Sequence, residues 1–141
     1  MGLMIENPRV GRLEVLQTAE STGGALVAVR AWYRPGSSRP PAHYHPAQEE
    51  RFRLLQGQMT AVVAGRTRQL AVGDELVIPP GVVHQLWNGG AEEASVLWET
   101  RPALRTDRLL VNLWSSRSLL RTLLVVLRHR REFRLARTPR R

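Results

Sequence analysis

The stretch PPAHYHPAQEERFRLLQG spans residues 40–57 and contains two of the four histidines in the chain. His43 and His45 are two positions apart, so in an extended strand both imidazoles lie on the same face. Tyr44 then points to the opposite face, and flanking prolines restrict the backbone around the pair. If Glu50 begins the next strand, its carboxylate can reach the same point in space. The stretch therefore predicts a cluster of polar side chains held by β structure.

Residues 12–100 as a whole have the pattern of short β-strands separated by turns. Runs rich in β-branched and aromatic residues alternate with glycine, proline, asparagine and aspartate, which favour turns. Regularly spaced short strands are typical of an all-β sandwich or barrel. No helix of normal length is expected before residue 103. The predicted strands cover residues 25–33, 50–57, 59–74 as a hairpin around Gly65, 75–81, 82–90 and 94–100.

The size and charge of the chain limit the classes of protein it can be. With 141 residues, of which 43% are hydrophobic, we expect one core with a short appendage. The absence of cysteine excludes disulfides and thiolate chemistry. The net charge of +9 lies at one end: residues 1–100 contain nine arginines and ten acidic residues, whereas residues 101–141 contain twelve arginines and two acidic residues. The nearly neutral first part therefore gives no electrostatic argument for nucleic-acid binding.

Residues 103–141 are predicted to form a basic, amphipathic helical extension, and residues 1–102 the β domain. The segment LLVNLWSSRSLLRTLLVVLRHRREFRLA, residues 109–136, has helical periodicity, and Ser115-Ser116 is a candidate break between two helices. Arginines beside the leucine face interrupt any candidate membrane span. We expect this face to pack against the barrel or across a dimer. The leucines placed on one face by a helical wheel are Leu109, Leu113, Leu120, Leu123, Leu124 and Leu127.

A second stretch, GDELVIPPGVVHQLWN at residues 73–88, places His84 on a strand next to the first motif. Three imidazoles and one carboxylate form a ligand set that suits a divalent transition metal: Mn²⁺, Fe²⁺, Ni²⁺, Co²⁺, Cu²⁺ or Zn²⁺. A lone histidine in a strand is more often a satisfied polar residue than a ligand. A purely structural role does not explain the spacing of all four residues.

Both stretches resemble the two signatures of the cupins. The first, His-x-His, four residues, Glu, six residues, Gly, matches from His43 to Gly57; the second, Gly, five residues, Pro-x-Gly, two residues, His, three residues, Asn, matches from Gly73 to Asn88. The opening glycine of the first signature, at Gly36, lies one residue earlier than usual. The motifs thus span residues 36–57 and 73–88, and the resemblance covers residues 25–100. It implies a jelly-roll β-barrel with a metal inside.

The resemblance assigns the metal ligands residue by residue to His43, His45, Glu50 and His84. Glu49 competes for the carboxylate role, but strand alternation places Phe52 and Leu54 inward with Glu50. The same alternation places further residues next to the site. The predicted substrate-pocket residues are Tyr33, Gln48, Phe52 and Leu86.

Two functions fit this site, because cupins include oxygenases, isomerases and decarboxylases as well as binding proteins without catalysis. One is a metal-dependent, oxygenase-like enzyme acting on a small organic molecule. The other is a module that binds a small ligand or a metal without turnover. A homodimer in the cytoplasm is expected. Contact of the basic tail with nucleic acid or a membrane surface is the less favoured expectation.

Overall fold

The computed structural model describes residues 2–137, so Met1 and residues 138–141 of the predicted extension lie outside the described residues. The strands are β1 (Leu3–Asn7), β2 (Gly11–Gln17), β3 (Val27–Tyr33), β4 (His43–Tyr44), β5 (Glu49–Gln56), β6 (Met59–Val63), β7 (Arg66–Leu70), β8 (Glu75–Ile78), β9 (His84–Trp87), β10 (Ala94–Arg101) and β11 (Arg134–Leu135). The helices are α1 (Thr106–Ser115) and α2 (Leu119–Arg128).

Two antiparallel sheets pack face to face. One has the strand order β1-β2-β3-β10-β5-β8 and the other β11-β4-β9-β6-β7. The apolar core lies mainly on their inner faces and includes Leu13, Val29, Leu54, Met59, Ala61, Ile78 and Val96. This arrangement confirms the predicted all-β jelly-roll fold with a helical C-terminal extension.

Strand β5 shows how the sequence pattern selects this packing. Glu50, Phe52 and Leu54 are buried, whereas Arg51 and Arg53 are exposed, as the alternation of side chains along a strand requires. The strand lies between β10 and β8, so its inward side chains are covered by neighbours on both sides. Glu50 is consequently held in the interior by the same pattern that buries Phe52 and Leu54.

The turns that end the strands account for the glycines of the two motifs. Gly57 follows β5 with φ of 74°, in the left-handed region that glycine adopts at low cost. A Cβ at this position would lie 2.6 Å from the carbonyl oxygen of Glu93. Glycine at this position therefore lets β5 turn sharply toward β6.

Helix α1 packs on the barrel and becomes part of its core. Leu109, Leu110 and Trp114 are buried. The Trp114 ring meets Tyr33 edge to face at 6.1 Å, and its Nε1–H donates to the carbonyl oxygen of Gly11 at 3.1 Å. The extension is thereby joined to β2 and β3 of the larger sheet.

The predicted break between two helices is confirmed, and it divides the leucine face. Helix α1 ends at Ser115 and α2 starts after Ser118, whose side chain accepts from the backbone N–H of Arg121 at 3.1 Å. This contact is a normal N-cap and starts a new helix in a new direction. The prediction that all six leucines share one face of a single helix is therefore wrong.

The leucines of α2 face solvent in the described chain. Leu119 is 78% exposed and Leu120 70%, and the arginines beside them are also exposed. The face of α2 therefore does not pack against the barrel, and its packing across a dimer stays a prediction. Among residues 2–137, no helix is long and apolar enough to cross a membrane. The exposed apolar residues of α2 are Leu119, Leu120, Leu123, Leu124 and Leu127.

Candidate metal centre

The two sheets bring the four predicted ligands together from opposite sides. His43 lies on β4 directly opposite His84 of β9, and His45 follows β4 by one residue. Glu50 projects from β5 of the other sheet. Three imidazoles of one sheet thus face one carboxylate of the other across the interior. His45, Glu50 and His84 are buried and His43 is half-buried.

The distances within this cluster fit a metal ion. Ligand atoms of the three histidines lie within 4.8 Å of one another. The Glu50 oxygens lie 2.9 Å from His45 Nε2 and 2.9 Å from His84 Nε2. Two ligands at about 2.1 Å from one metal, at right angles, are separated by about 3 Å. The observed separations therefore match neighbouring positions in a coordination shell.

Each imidazole is oriented through its other nitrogen. Nδ1 of His43 lies 2.9 Å from the carbonyl oxygen of Pro41, and Nδ1 of His84 lies 2.9 Å from that of Val82. Nδ1 of His45 lies 2.5 Å from the carbonyl oxygen of Glu132. A carbonyl can only accept, so each Nδ1 carries the proton and donates it. In neutral imidazole this leaves the Nε2 lone pair free to bind a metal.

The metal-facing atoms lack other partners, which is the test that a metal site has to meet. Within residues 2–137, His45 Nε2, His84 Nε2 and Glu50 Oε2 have no hydrogen-bond partner. Buried polar atoms in folded proteins are nearly always satisfied. The short contacts to Glu50 bring these atoms close without hydrogen-bond geometry. A shared cation would satisfy all three, so these residues fit the metal that the motifs imply.

The surroundings of the cluster keep His43 neutral and Glu50 ionised, as metal binding requires, but they favour a proton on His45. Burial, together with the neighbouring His84, lowers the pKa of His43 to about 4, so this imidazole is neutral at pH 7. Burial acts to raise the pKa of Glu50, but the imidazoles of His45 and His84 outweigh it and hold this pKa well below its usual range. For His45, burial is outweighed by the Glu50 charge, and its pKa is raised. A metal ion would therefore compete with a proton on His45.

The structure separates the two candidate carboxylates. Glu50 is 1% exposed and touches two imidazoles, whereas Glu49 points outward and accepts from Arg51 Nε at 2.8 Å. Trp98 is an additional contact of this carboxylate, and it was not predicted from the sequence. Its Nε1–H donates to Glu50 Oε1 at 3.2 Å. Trp98 therefore orients the carboxylate from the neighbouring strand β10.

The four predicted pocket residues are all buried, and their surroundings differ. Tyr33 packs against Trp114, and burial, assisted by the Glu50 charge, raises the pKa of its phenol. Phe52 lies 5.2 Å from the Trp98 ring, and Leu86 belongs to the apolar core.

Gln48 has a different environment, at the junction of the barrel with α1. Its Nε2 lies within hydrogen-bond distance of the carbonyl oxygens of Pro102 at 2.8 Å and Ala103 at 3.1 Å, and of Thr106 Oγ1 at 2.7 Å. These bonds connect the start of β5 to the start of α1. A substrate role for the four pocket residues stays a prediction.

Two residues of the extension reach the cluster, and the sequence analysis missed both. The carbonyl oxygen of Glu132 holds His45, as described above. The Phe133 ring stacks on His43 at 4.5 Å with an angle of 23° between the planes. The only sequence signal was the short run EFRL, in which charged and apolar residues alternate, after a series of arginines. That run does not indicate which strand it pairs with.

A surface groove lies elsewhere on the described chain. A groove of about 680 Å³ is formed by β1, β2, the turn after β2 and α1, and its lining includes Leu3, Leu16 and Val111. None of its lining residues belongs to the histidine cluster. The site is therefore assigned from its ligand chemistry and burial, not from cavity size.

A jelly-roll barrel enclosing three histidines and a glutamate is the architecture of a cupin. The Cupin domain family model matches residues 30–99. The chain is 35% identical over 101 residues to the rhicadhesin receptor of Pisum sativum, an alignment that covers 68% of this chain and 44% of that protein. It is 40% identical over 50 residues to oxidoreductase macE of Penicillium terrestre, covering 35% and 19%. The chain thus spans less than half the length of these two relatives.

The fold is also similar to solved structures. KdgF from Halomonas sp. superposes with a TM-score of 0.62 at 19% identity, covering 72% of this chain and 86% of that one. At that identity, the likeness concerns the fold alone. Together with the family match, it identifies the chain: it belongs to the cupin superfamily, as the two motifs indicate.

Proposed function

We propose that this protein is a metal-dependent, oxygenase-like enzyme that acts on a small organic molecule. The observation that carries the proposal is the convergence of three imidazoles, each oriented by a backbone carbonyl, and one buried carboxylate. Nε2 of His45 and Nε2 of His84 have no hydrogen-bond partner among the described residues. Such a site binds one divalent transition metal: Mn²⁺, Fe²⁺, Ni²⁺, Co²⁺, Cu²⁺ or Zn²⁺. His43, His45, His84 and Glu50 would hold it. When bound, the metal supplies a Lewis acid or a redox centre.

The surrounding residues have roles of their own. The carbonyl oxygens of Pro41, Val82 and Glu132 fix the tautomers of the histidines. Trp98 orients Glu50, and the apolar side chains of Phe52 and Leu86 on the inner faces exclude water. These contacts hold the ligands in place before a metal binds, which favours tight binding and defined geometry.

An oxidoreductase role is supported by one of the curated relatives. Oxidoreductase macE of Penicillium terrestre is 40% identical over 50 residues. The alignment covers a small part of that protein, so it supports the reaction class and not a particular substrate. Redox-active iron or copper is the metal that this proposal favours.

The second candidate function is a module that binds a small ligand or a metal without turnover. The specific observation in its favour is that Phe133 stacks on His43 and covers one side of the cluster. A site covered in this way is suited to retaining a metal, whereas an enzyme must admit a substrate. Both functions need the same four ligands.

Elemental analysis tests the shared part of both proposals. Purified wild type should contain about one transition metal per chain, and His45→Ala and His84→Ala should contain almost none, since each loses a ligand. Glu49→Gln is the matched control, because Glu49 faces outward to Arg51 and is not one of the four ligands. Equal metal content in all four proteins would refute the site.

Oxygen uptake then separates the two functions. The iron- or copper-loaded protein should consume O₂ with a substrate drawn from a panel of small phenols, diketones and dicarboxylic acids. His84→Ala should show no uptake above the free metal. Tightly bound zinc without turnover across the panel would instead support the binding module.

The expected homodimer and the expected cytoplasmic location stay predictions. The exposed leucines of α2 provide the surface on which the homodimer can be tested. Among residues 2–137, the seven arginines that flank or follow these leucines are exposed as well. Membrane or nucleic-acid contact through this basic surface stays the less favoured alternative.

A further inference from the structure

A short segment of the extension contains the edge strand of the smaller sheet, beside the candidate metal centre. We call residues 132–136 the C-terminal cap. Arg134 and Leu135 of β11 pair with Tyr44 and His43 of β4. The backbone N–H of Ala136 donates to the carbonyl oxygen of Ala42 at 2.9 Å. The cap therefore pairs with the strand that contains His43 and leads directly into His45.

The aromatic ring of the cap lies directly against these histidines. The Phe133 ring centroid is 4.5 Å from that of His43, with nearly parallel planes, and 5.8 Å from that of His45, edge to face. Stacked and edge-on arrangements at these distances are favourable. One ring thus contacts two imidazoles of the cluster and occupies the space that a ligand approaching from this side would need.

The cap is held in place by a buried anchor. The Glu132 side chain is 1% exposed, and its Oε1 accepts from the Arg105 backbone N–H at 3.1 Å and from Arg105 Nε at 3.4 Å. Arg105 Nη2 also donates to the carbonyl oxygen of Arg128 at 2.8 Å. Both ends of the turn before Phe133 are therefore bonded to the residue that precedes α1.

We propose that Phe133 closes the candidate metal centre and determines which ligands reach it. The inference builds on the proposed function, because a closing residue matters only where something binds. Phe133 admits small molecules and excludes bulky ones unless the cap moves away. Since β11 has only two residues and its side chains are exposed, the cap is a segment that local opening can release without unfolding the barrel.

The test uses metal-free protein, so that it does not depend on metal binding. Diethylpyrocarbonate acylates accessible neutral imidazoles, and peptide mapping by mass spectrometry measures the modification rate of His43 and His45. Phe133→Ala should raise this rate about tenfold, because it removes the ring and weakens the cap. Phe133→Leu keeps a smaller apolar side chain in place and should give an intermediate rate. Leu127→Ala, on the exposed face of α2, should leave the rate unchanged.

The outcomes separate this proposal from the proposed function. Equal rates for His43 and His45 in wild type, Phe133→Ala and Phe133→Leu would overturn the role of Phe133, whatever the metal content. Circular dichroism and thermal unfolding establish that each variant is folded, and the Phe133→Leu rate decides if Phe133→Ala does not fold. In zinc-loaded protein, faster loss of zinc to EDTA from Phe133→Ala, at unchanged zinc content, would support closure of the site. A wild type without metal would refute the proposed function only.

Discussion

The barrel and the C-terminal extension are both rich in leucine, but they use it differently. In the barrel, strand alternation buries one leucine and exposes the next, as with Leu54 at 1% and Leu55 at 38% exposure. In the extension, α1 buries Leu110 against the barrel core, whereas α2 exposes five leucines. The break between the helices redirects the apolar face. Local pattern therefore determines burial inside the sheets, while the direction of the chain after a break determines it in the extension.

The largest expected effect on stability tests whether α1 belongs to the core. Trp114→Ala should lower the free energy of unfolding by about 4 kcal/mol, because it removes a buried ring and leaves the Gly11 carbonyl without its donor. Urea denaturation followed by circular dichroism measures this change. An unchanged midpoint would mean that the barrel is stable without α1, and that the two regions are independent.

The second prediction compares one buried and one exposed leucine of the extension. Leu109→Ala should cost about 3 kcal/mol, because Leu109 is 2% exposed and its removal leaves a cavity. Leu120→Ala should cost less than about 0.5 kcal/mol, because this side chain is 70% exposed and substitutions at such positions are nearly neutral. Similar losses of unfolding free energy for the two variants, in the same denaturation experiment, would show that the Leu120 side chain is buried in solution.

The third prediction uses the adjacent glutamates of β5. Glu50→Gln should weaken metal binding on the order of ten- to a hundredfold, since the buried carboxylate loses its charge beside the imidazoles. Glu49→Gln should leave the affinity unchanged, because Glu49 faces outward to Arg51. Isothermal titration of metal-free protein with Zn²⁺ measures both. If the two variants bound equally, the carboxylate of the site would not be Glu50.

The smallest effect concerns the exposed face of α2. The double variant Leu120→Ser and Leu124→Ser should leave the monomer fold intact and shift the expected dimer toward monomer at micromolar concentration. Size-exclusion chromatography with light scattering measures the mass. A wild type that is monomeric would refute the homodimer. Sedimentation with anionic vesicles would then test the less favoured membrane contact.

Much of the candidate site could be predicted because its determinants are local. Two histidines at alternate positions of a strand must share a face, and the alternation of β5 selects Glu50 over Glu49. The spacing of the second motif predicts a strand that lies beside the strand of the first motif. The fold class followed from the same short strands and turns, and the structure confirms it.

The contribution of the extension could not be predicted, because it depends on a distant pairing. The carbonyl oxygen that holds His45 is 87 positions away in the chain, and every residue has a carbonyl, so no side-chain type marks the one that is used. Strand β11 has two residues, too few for an alternation pattern. The orientation of α2 likewise depends on three residues between helices, whose geometry a wheel does not represent.

The bond between His45 and the Glu132 carbonyl has a consequence for how the protein is made. During synthesis, the strands β1 to β10, with the three histidines of the cluster and Glu50, are made before residue 132. A barrel formed at that stage has two imidazoles already held by nearby carbonyls, at Pro41 and Val82, and a third that is still free to rotate. The carbonyl that orients the third imidazole is therefore made last, after both helices.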